Sequence, residues 1–190
     1  MGQSMFQRFA GDCQYARISH LDSGEENMTP FPSVPRGLWF EEFKPGQSVV
    51  TSGRTITKSD IVNFAGLSGD YNPIHMDVEY AGETEFGKRV AHGLLVVSIA
   101  SGLLLSTGVL DGTIGAFREI IKWKFHQPVY IGDTIRVEME IMDTRSLKGN
   151  SSGLVKMGLR VKNQDGVMVM SGTLAILVLM QPDKVKDTNE

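Results

Sequence analysis

One segment limits the possible folds more than any other: the run VAHGLLVVSIASGLLLSTG at residues 90–108. It has the length of a helix and is apolar on almost every side. A helix of this kind is stable in water only when other structure surrounds it. We therefore expect a buried central helix that begins at Gly93, wrapped on nearly every side by the rest of the chain.

The same apolar character has to be weighed against a membrane span. Residues 94–110 are marginal in length for a helix that crosses a bilayer, lack basic anchors, and are interrupted by Ser98, Ser101, Gly102 and Ser106. A second apolar run, residues 172–180, is too short to cross as a helix. Both runs are therefore assigned to a protein core, and no membrane partner is expected.

Four strand-like segments follow the helix and can surround it. They are IIKWKFHQPVY, DTIRVEMEIMDTRS, GLVKMGLRVKNQ and VMVMSGTLAILVLM. Short turn-forming links separate them, which predicts antiparallel meanders. Upstream, a strand is expected after the Pro45-Gly46 turn, and Thr57 is a good N-cap for a short helix that ends near Ser68 and Gly69. One buried helix inside a curved antiparallel sheet predicts an α+β fold.

Length and composition favour one domain and exclude several classes of protein. The 190 residues suit a single core, expected at residues 37–181, between a poorly ordered arm at 1–36 and a polar tail at 182–190. A net charge of -3 without a basic block argues against a nucleic-acid partner. The only cysteine, Cys13, excludes an intrachain disulfide and fits a reducing, cytoplasmic location.

The stretch GLSGDYNPIHMD, residues 66–77, concentrates the reactive side chains. Pro73 fixes its own φ and restricts Asn72, so Asp70 and His75 are held in few relative positions. A carboxylate and an imidazole that converge on one water molecule can take its proton and return a proton elsewhere. The same residues could instead only cap the turns that follow, and Asp77 is expected to cap a second short helix. A metal site of Asp70, His75 and Asp77 is not expected, because no further His or Cys cluster supplies the remaining ligands.

The start of the predicted central helix offers a second chemical feature. Gly93 places unpaired backbone N–H groups and the positive end of the helix dipole where negative charge can develop, although it could also relieve a tight turn. His92 is expected to be structural rather than catalytic. Ser101 could support the site or bond to the preceding turn. Lys88 and Arg89 are expected to be solvated rather than to bind phosphates.

The block FAGLSGDYNPIHMDVEYAGETEFGKRVAHGLLVVSIASGLL, residues 64–104, resembles the hydratase motif of the MaoC-like, or (R)-specific, enoyl-CoA hydratases. The stretch FHQPVYIGDTI, residues 125–135, is also similar to this family, and the similarity extends from about residue 37 to residue 180. The resemblance implies a hot-dog fold, in which an antiparallel sheet wraps the central helix. It also implies a homodimer or a larger homo-oligomer whose sheets join edge to edge.

Carried over residue by residue, the resemblance makes Asp70 and His75 the catalytic pair and Gly93 the residue whose N–H supports the thioester carbonyl. It implies supporting roles for Asn72, which would hold the loop and the water, and for Ser101. The implied activity is reversible hydration of a trans-2-enoyl-CoA to a (3R)-3-hydroxyacyl-CoA. Coenzyme A is then part of the substrate, and neither a separate cofactor nor a metal is expected.

Three other activities remain open. A dehydratase of a branched or dicarboxylic acyl-CoA, of the methylmalyl or mesaconyl type, would need a basic residue such as Arg118, Lys122 or Lys124 for the second carboxylate. An acyl-CoA thioesterase and a non-catalytic acyl-CoA-binding module are the other two. The arrangement of Asp70 and His75 around Asn72 favours the hydratase.

Overall fold

A computed structural model describes residues 29–30, 37–147 and 150–182. Its helices are α1 (Lys58–Ser68), α2 (Pro73–Met76), α3 (Val78–Glu83) and α4 (Gly93–Leu105). Its strands are β1 (Thr29–Pro30), β2 (Gln47–Val50), β3 (Arg54–Thr55), β4 (Ile114–Phe125), β5 (Thr134–Ser146), β6 (Ser152–Lys162) and β7 (Met168–Leu179).

The strands form one sheet in the order β1-β2-β5-β6-β7-β4, with β3 paired to β5. Every pairing is antiparallel except that of β1 with β2. The meander through β5, β6 and β7 is confirmed, but its extension to β4 is wrong, because β4 pairs with β7. The link between β4 and β5 forms no hairpin: Val129 accepts a hydrogen bond from the N–H of Ala91, and Tyr130 bridges to Val90.

Helix α4 begins at Gly93, as predicted, and packs against the sheet. The core contains buried side chains from α4 and from the inner faces of the strands, among them Val96, Ile99, Ala100, Leu104, Val137, Met139, Ile141, Met157, Leu159 and Ile176. The expectation that other structure wraps this helix on nearly every side is wrong for a single chain. Leu94 is 65% exposed and Leu105 is 42% exposed, because the sheet covers one face and leaves the other open.

The short helices begin and end at side chains with recognisable capping roles. Thr57 and Asp60 form the reciprocal capping box of α1, and Gly69 ends that helix, which confirms the predicted bounds. Asp77 caps α3, since its Oδ1 accepts the N–H groups of Glu79 and Tyr80 at 2.9 and 3.0 Å. Helix α2 was not predicted, because its four residues are too few for a periodic signal.

The architecture confirms the predicted α+β, hot-dog fold: an antiparallel sheet curves around one long helix. Strand β4 begins at Ile114, six residues before the predicted segment, and register irregularities interrupt its pairing with β7. Of the predicted arm and tail, residues 1–28, 31–36 and 183–190, including Cys13, lie outside the described residues. In the part of the chain that the structure describes, no helix has the length and apolarity to cross a membrane.

Candidate active site

Asp70 lies directly beyond the end of α1. Gly69 stops that helix in the left-handed conformation, with φ of 77°, and its N–H donates to the carbonyl of Ala65. The N–H of Asp70 donates to Ser68 Oγ at 3.2 Å, and Asp70 Oδ1 accepts the N–H of Asn72 at 3.2 Å. One carboxylate oxygen is therefore engaged within the loop, and the other, Oδ2, faces His75.

Asn72 turns the chain into α2, which carries His75. Its Oδ1 accepts the N–H of Ile74 at 3.2 Å, and Pro73 occupies the first helical position, where its missing N–H costs nothing. His75 is one turn further along, and its N–H donates to the Asn72 carbonyl. Asn72 thus holds the loop that separates the carboxylate from the imidazole.

The His75 ring is buried and has one nitrogen engaged by the backbone. Nδ1 lies 2.8 Å from the carbonyl oxygen of Val90, and because a carbonyl only accepts, Nδ1 carries the proton in this pair. In the neutral ring, Nε2 is then left with its lone pair. Nε2 lies 4.0 Å from Asp70 Oδ2, which is too long for a direct hydrogen bond but allows one water oxygen to bridge the two groups.

Burial keeps this imidazole neutral. Desolvation lowers the pKa of His75 below its ordinary value of 6.5, and the neighbouring His92 lowers it as well. The Val90 carbonyl and the Asp70 carboxylate act in the opposite direction, but the net shift is downward. Near neutral pH, Nε2 is therefore available as a base.

His92 contacts both members of the pair. Its Nε2 lies 2.9 Å from the backbone carbonyl oxygen of Asp70, to which it donates, and its ring centroid is 3.8 Å from that of His75. Phe64 packs near the same ring, with a centroid distance of 5.1 Å. His92 is only 2% exposed, and its Nδ1 has no hydrogen-bond partner among the described residues.

Gly93 follows His92 and opens α4. The first hydrogen bond of the helix runs from the N–H of Val96 to the carbonyl of His92, so the amide of Gly93 precedes the ladder and is not used by it. A Cβ at position 93 would lie 2.7 Å from Phe125 Cε1, so the glycine allows this aromatic ring to approach the backbone. Gly93 and Phe125 are both in the wall of a mainly apolar cavity of about 310 Å³.

Ser101 makes no hydrogen bond to Asp70 or His75 among the described residues, and its predicted supporting role stays a prediction. It lies eight residues along α4, about 12 Å from Gly93 at the usual helical rise. It lines a different cavity, of about 290 Å³, together with Phe117, Trp123 and Leu174. The structure therefore groups Asp70, Asn72 and His75, places Gly93 one residue beyond His92, and leaves Ser101 two helical turns away.

Comparison with known proteins assigns this arrangement to a family. Residues 41–163 match the family described as MaoC like domain. The chain belongs to the MaoC-like domain family. It is 40% identical over 103 residues to an (R)-specific enoyl-CoA hydratase of Rhodospirillum rubrum, across 54% of this chain and 69% of that protein. It also resembles the solved structure of the R-hydratase PhaJ1 from Pseudomonas aeruginosa, with 32% identity, a TM-score of 0.65, and coverage of 76% of this chain and 88% of that one.

A longer relative shares only this part of its length. Protein MaoC of Klebsiella aerogenes is 43% identical over 115 residues, which cover 60% of this chain and 32% of that protein. The MaoC-like domain described here thus spans about a third of that relative. The activity of the longer protein as a whole does not follow from this match.

The donor atoms of this MaoC-like domain that could hold a metal ion belong to the same cluster. Among the described residues, one donor atom each of Asp70, His75 and His92 lie within 4.8 Å of one another. Asp77, considered for this role from the sequence, caps α3 instead. Each imidazole uses one nitrogen for a backbone carbonyl, which leaves His75 Nε2 and His92 Nδ1 as the nitrogens that an ion at this position could meet.

Sequence reasoning did not predict the two contacts that hold His75 in this MaoC-like domain, although it expected His92 to be structural. The Val90 carbonyl carries no side-chain signal, because a backbone oxygen looks the same at every position. His92 did carry a signal: an imidazole stands directly before the glycine that opens an apolar helix. A buried polar side chain at such a position needs a partner, and here the partner is the Asp70 carbonyl.

Proposed function

We propose that this MaoC-like domain is a hydro-lyase that reversibly hydrates a trans-2-enoyl-CoA to a (3R)-3-hydroxyacyl-CoA. The observation that carries the proposal is the 4.0 Å gap between His75 Nε2 and Asp70 Oδ2, which one water molecule can bridge. The hydrogen bond from Nδ1 to Val90 leaves Nε2 as the base on the side that faces the gap. The similarity to a relative named (R)-specific enoyl-CoA hydratase supports an enoyl thioester as the substrate.

In the proposed reaction, Asp70 and His75 hold the water against C3 of the substrate. As the bond from the water oxygen to C3 forms, one of the two groups takes a water proton, and a proton is delivered to C2 on the same face. Hydrogen and hydroxyl are added across the double bond, and the pair returns to its starting protonation. The reaction needs no redox cofactor and no metal, and coenzyme A enters and leaves as part of the substrate.

Gly93 is the proposed donor to the thioester oxygen. Its N–H precedes the hydrogen-bond ladder of α4 and lies at the positive end of the helix, where it can stabilise the enolate-like oxygen as negative charge builds. The cavity beside Gly93 is then the proposed location of substrate atoms next to the thioester. The position of Ser101 supports a role in the wall of a second cavity rather than at the acid–base pair.

A homodimer is part of the proposal, because a single chain leaves β4 uncovered. Strand β4 is at the edge of the sheet, and Ile120, Ile121 and Phe125 are 49%, 43% and 53% exposed. A long, apolar edge strand is prone to pair with another chain. The open face of α4 adds Leu94 and Leu105 to this surface. We also retain the cytoplasmic location expected from the sequence as a proposal.

The position of Lys122 gives little support to a dicarboxylic substrate. Side chains alternate along a strand, so Lys122 lies on the opposite face from Trp123, which lines the cavity at Ser101. Lys122 instead shares a surface depression with Glu140 and Arg160. Lys88 is also engaged, since its Nζ lies 4.2 Å from the centre of the Tyr130 ring.

The test compares the hydration rates of Asp70→Asn and His75→Ala with that of the parent protein. The substrates are crotonyl-CoA and longer enoyl-CoAs. Loss of one general acid–base group should lower kcat by about 10²- to 10⁴-fold. Glu83→Gln is the matched control, because it neutralises an exposed carboxylate on α3 and should leave the rate unchanged. The rate of hydration is measured from the decrease in the absorbance of the enoyl thioester.

The hydratase assignment is abandoned if both variants hydrate enoyl-CoA at rates near that of the parent. Release of free thiol from an acyl-CoA by the parent would favour a thioesterase. Turnover of mesaconyl-CoA in place of crotonyl-CoA would favour the dicarboxylic dehydratase. Tight binding of acyl-CoA without either reaction would favour a binding module.

A further inference from the structure

His92 is the buried polar residue at this site to which the proposed reaction gives no role. It neither caps α4 with its side chain nor faces solvent, since it is 2% exposed. An imidazole in an apolar environment costs free energy unless its polar atoms are paired. Its Nδ1 nevertheless has no partner among the described residues, which indicates that something other than stability accounts for a histidine here.

One contact of His92 fixes the position of Asp70. Its Nε2–H donates to the Asp70 backbone carbonyl at 2.9 Å, and this bond joins the start of α4 to the loop that follows α1. The Asp70 side chain itself is about half exposed, so little packing restrains it. The bond to His92 therefore adds a restraint from α4 to a residue that is otherwise held by hydrogen bonds within its own loop.

A second contact fixes the ring of His75. The two imidazole centroids are 3.8 Å apart with an angle of 31° between the planes, a close but tilted ring contact. Phe64 lies on the His92 ring at a centroid distance of 5.1 Å. His92 thus contacts both Phe64 and His75, and its ring limits how the His75 ring can tilt toward Asp70.

We propose that His92 is the positioning residue of this site: through its hydrogen bond to the Asp70 carbonyl and its ring contact with His75, it sets the gap that the reacting water occupies. The inference rests on the proposed hydratase function. His92 does not touch the substrate in this role. It acts through the two residues that do, and because Gly93 follows it directly, it also ties their position to the first amide of α4.

Two substitutions separate the two contacts. His92→Gln keeps an N–H donor at about the reach of Nε2 but removes the ring, whereas His92→Phe keeps a ring in contact with His75 but removes the donor. Thr113→Val is the matched control, because Thr113 is also 2% exposed with an unpartnered polar atom among the described residues, and it is outside the site. His92→Ala, which removes both contacts, is the variant most exposed to a folding defect and is secondary.

The expected result is a fall in kcat with KM near that of the parent. A displacement of about 1 Å at a reacting group can cost about 100-fold in rate, and we expect losses of about 10- to 100-fold for His92→Phe and His92→Gln. Thr113→Val should remain within about twofold of the parent. Circular dichroism and thermal unfolding show that the compared proteins are folded.

The pH profile of kcat/KM distinguishes positioning from a general loss of folded protein. The groups that act on His75 are Asp70 and His92, together with the Val90 carbonyl. Because His92 lowers the pKa of His75, its removal should move the acid limb of the profile to higher pH. A merely structural defect would lower the rate by the same factor at every pH.

Two results would overturn the proposal for His92 while leaving the hydratase intact. One is a kcat within twofold of the parent in both variants, with Asp70→Asn and His75→Ala still inactive. The other is an equal loss in both variants with an unshifted pH profile. If Asp70→Asn and His75→Ala themselves retain full activity, the proposed function fails first, and the role of His92 fails with it.

Discussion

Strands β4 and β5 are almost equal in length, with 12 and 13 residues, but they differ in burial. The inner side chains of β5 are at most 1% exposed: Ile135, Val137, Met139 and Ile141. Five large apolar side chains of β4 are between 38% and 53% exposed: Ile114, Phe117, Ile120, Ile121 and Phe125. The cause is position, since β5 lies inside the sheet beneath α4, whereas β4 is at the edge.

The two strands also differ in what they contribute: β5 stabilises the fold, whereas β4 contacts the candidate site. Strand β5 contributes core and no reactive group. Strand β4 ends at Phe125, which lies against Gly93, and in the segment after it Val129 and Tyr130 pair with Ala91 and Val90, directly before His92. The least covered strand is therefore the one whose position affects the proposed chemistry.

The largest expected effect is on stability and comes from β5. Met139→Ala should lower the free energy of unfolding by about 2 to 5 kcal/mol, because it leaves a cavity in a packed core. Met142→Ala is the matched control on the outer face of the same strand, where the side chain is 57% exposed. Urea titrations followed by circular dichroism measure both. Equal losses in the two variants would contradict the distinction between the faces.

A smaller effect is expected where β4 meets α4. Gly93→Ala should cost about 1 to 3 kcal/mol and reduce kcat/KM, because the new methyl group meets the Phe125 ring. In a Phe125→Ala background, Gly93→Ala should lower the free energy of unfolding less than it does in the parent. A double-mutant cycle measures this coupling. Gly102→Ala on the same helix meets no atom within 4 Å and should be neutral or stabilising. A cycle without coupling would show that Phe125 is not the obstacle.

A change in self-association should follow from a charge on β4. Ile120→Lys places an ammonium group on the apolar surface that we assign to a second copy, and it should weaken self-association by about tenfold or more. Val50→Lys is the control, since Val50 is equally exposed, at 49%, on β2. Analytical ultracentrifugation across a concentration range compares the three proteins. A parent that is monomeric throughout would remove the basis for the interface.

The smallest expected effect is a pH dependence of stability at His75. Its lowered pKa means that the unfolded chain binds more protons than the folded one between that value and the ordinary 6.5. The contribution of neutral His75 to the free energy of unfolding is therefore complete above pH 6.5. It is lost as the pH falls from 6.5 through the lowered pKa of the folded protein. His75→Gln should be less sensitive to acid than the parent when both are unfolded by urea over this range. Identical acid sensitivity would contradict the shift.

Sequence patterns that extend over a few neighbouring residues predicted much of the fold. The apolar run gave α4, the capping residues Thr57 and Asp77 gave the starts of α1 and α3, and the three-strand meander followed from short links. The position of β4 did not follow, because pairing with β7 rather than β5 depends on contacts distant in sequence. Sequence also could not show that a single chain leaves one face of α4 open.

The candidate site was predictable where the reactive groups are side chains in one short stretch. Asp70, Asn72 and His75 lie within six residues, so local chain geometry keeps them together. The Val90 carbonyl is 15 residues from His75 and His92 is 22 residues from Asp70, so only the fold makes these two hydrogen bonds possible. The roles of the site residues stay predictions until the variants are assayed.

Gly69 shows how a residue without a functional group can govern activity. Its φ of 77° sets the direction in which the chain leaves α1, one position before the carboxylate. A side chain at this position would strain the helix end and redirect Asp70, although nothing lies within 4 Å of the added atom. A random mutagenesis screen for inactive but well-expressed protein should therefore recover position 69 among its hits, beside Asp70 and His75, to which we assign the proton transfers.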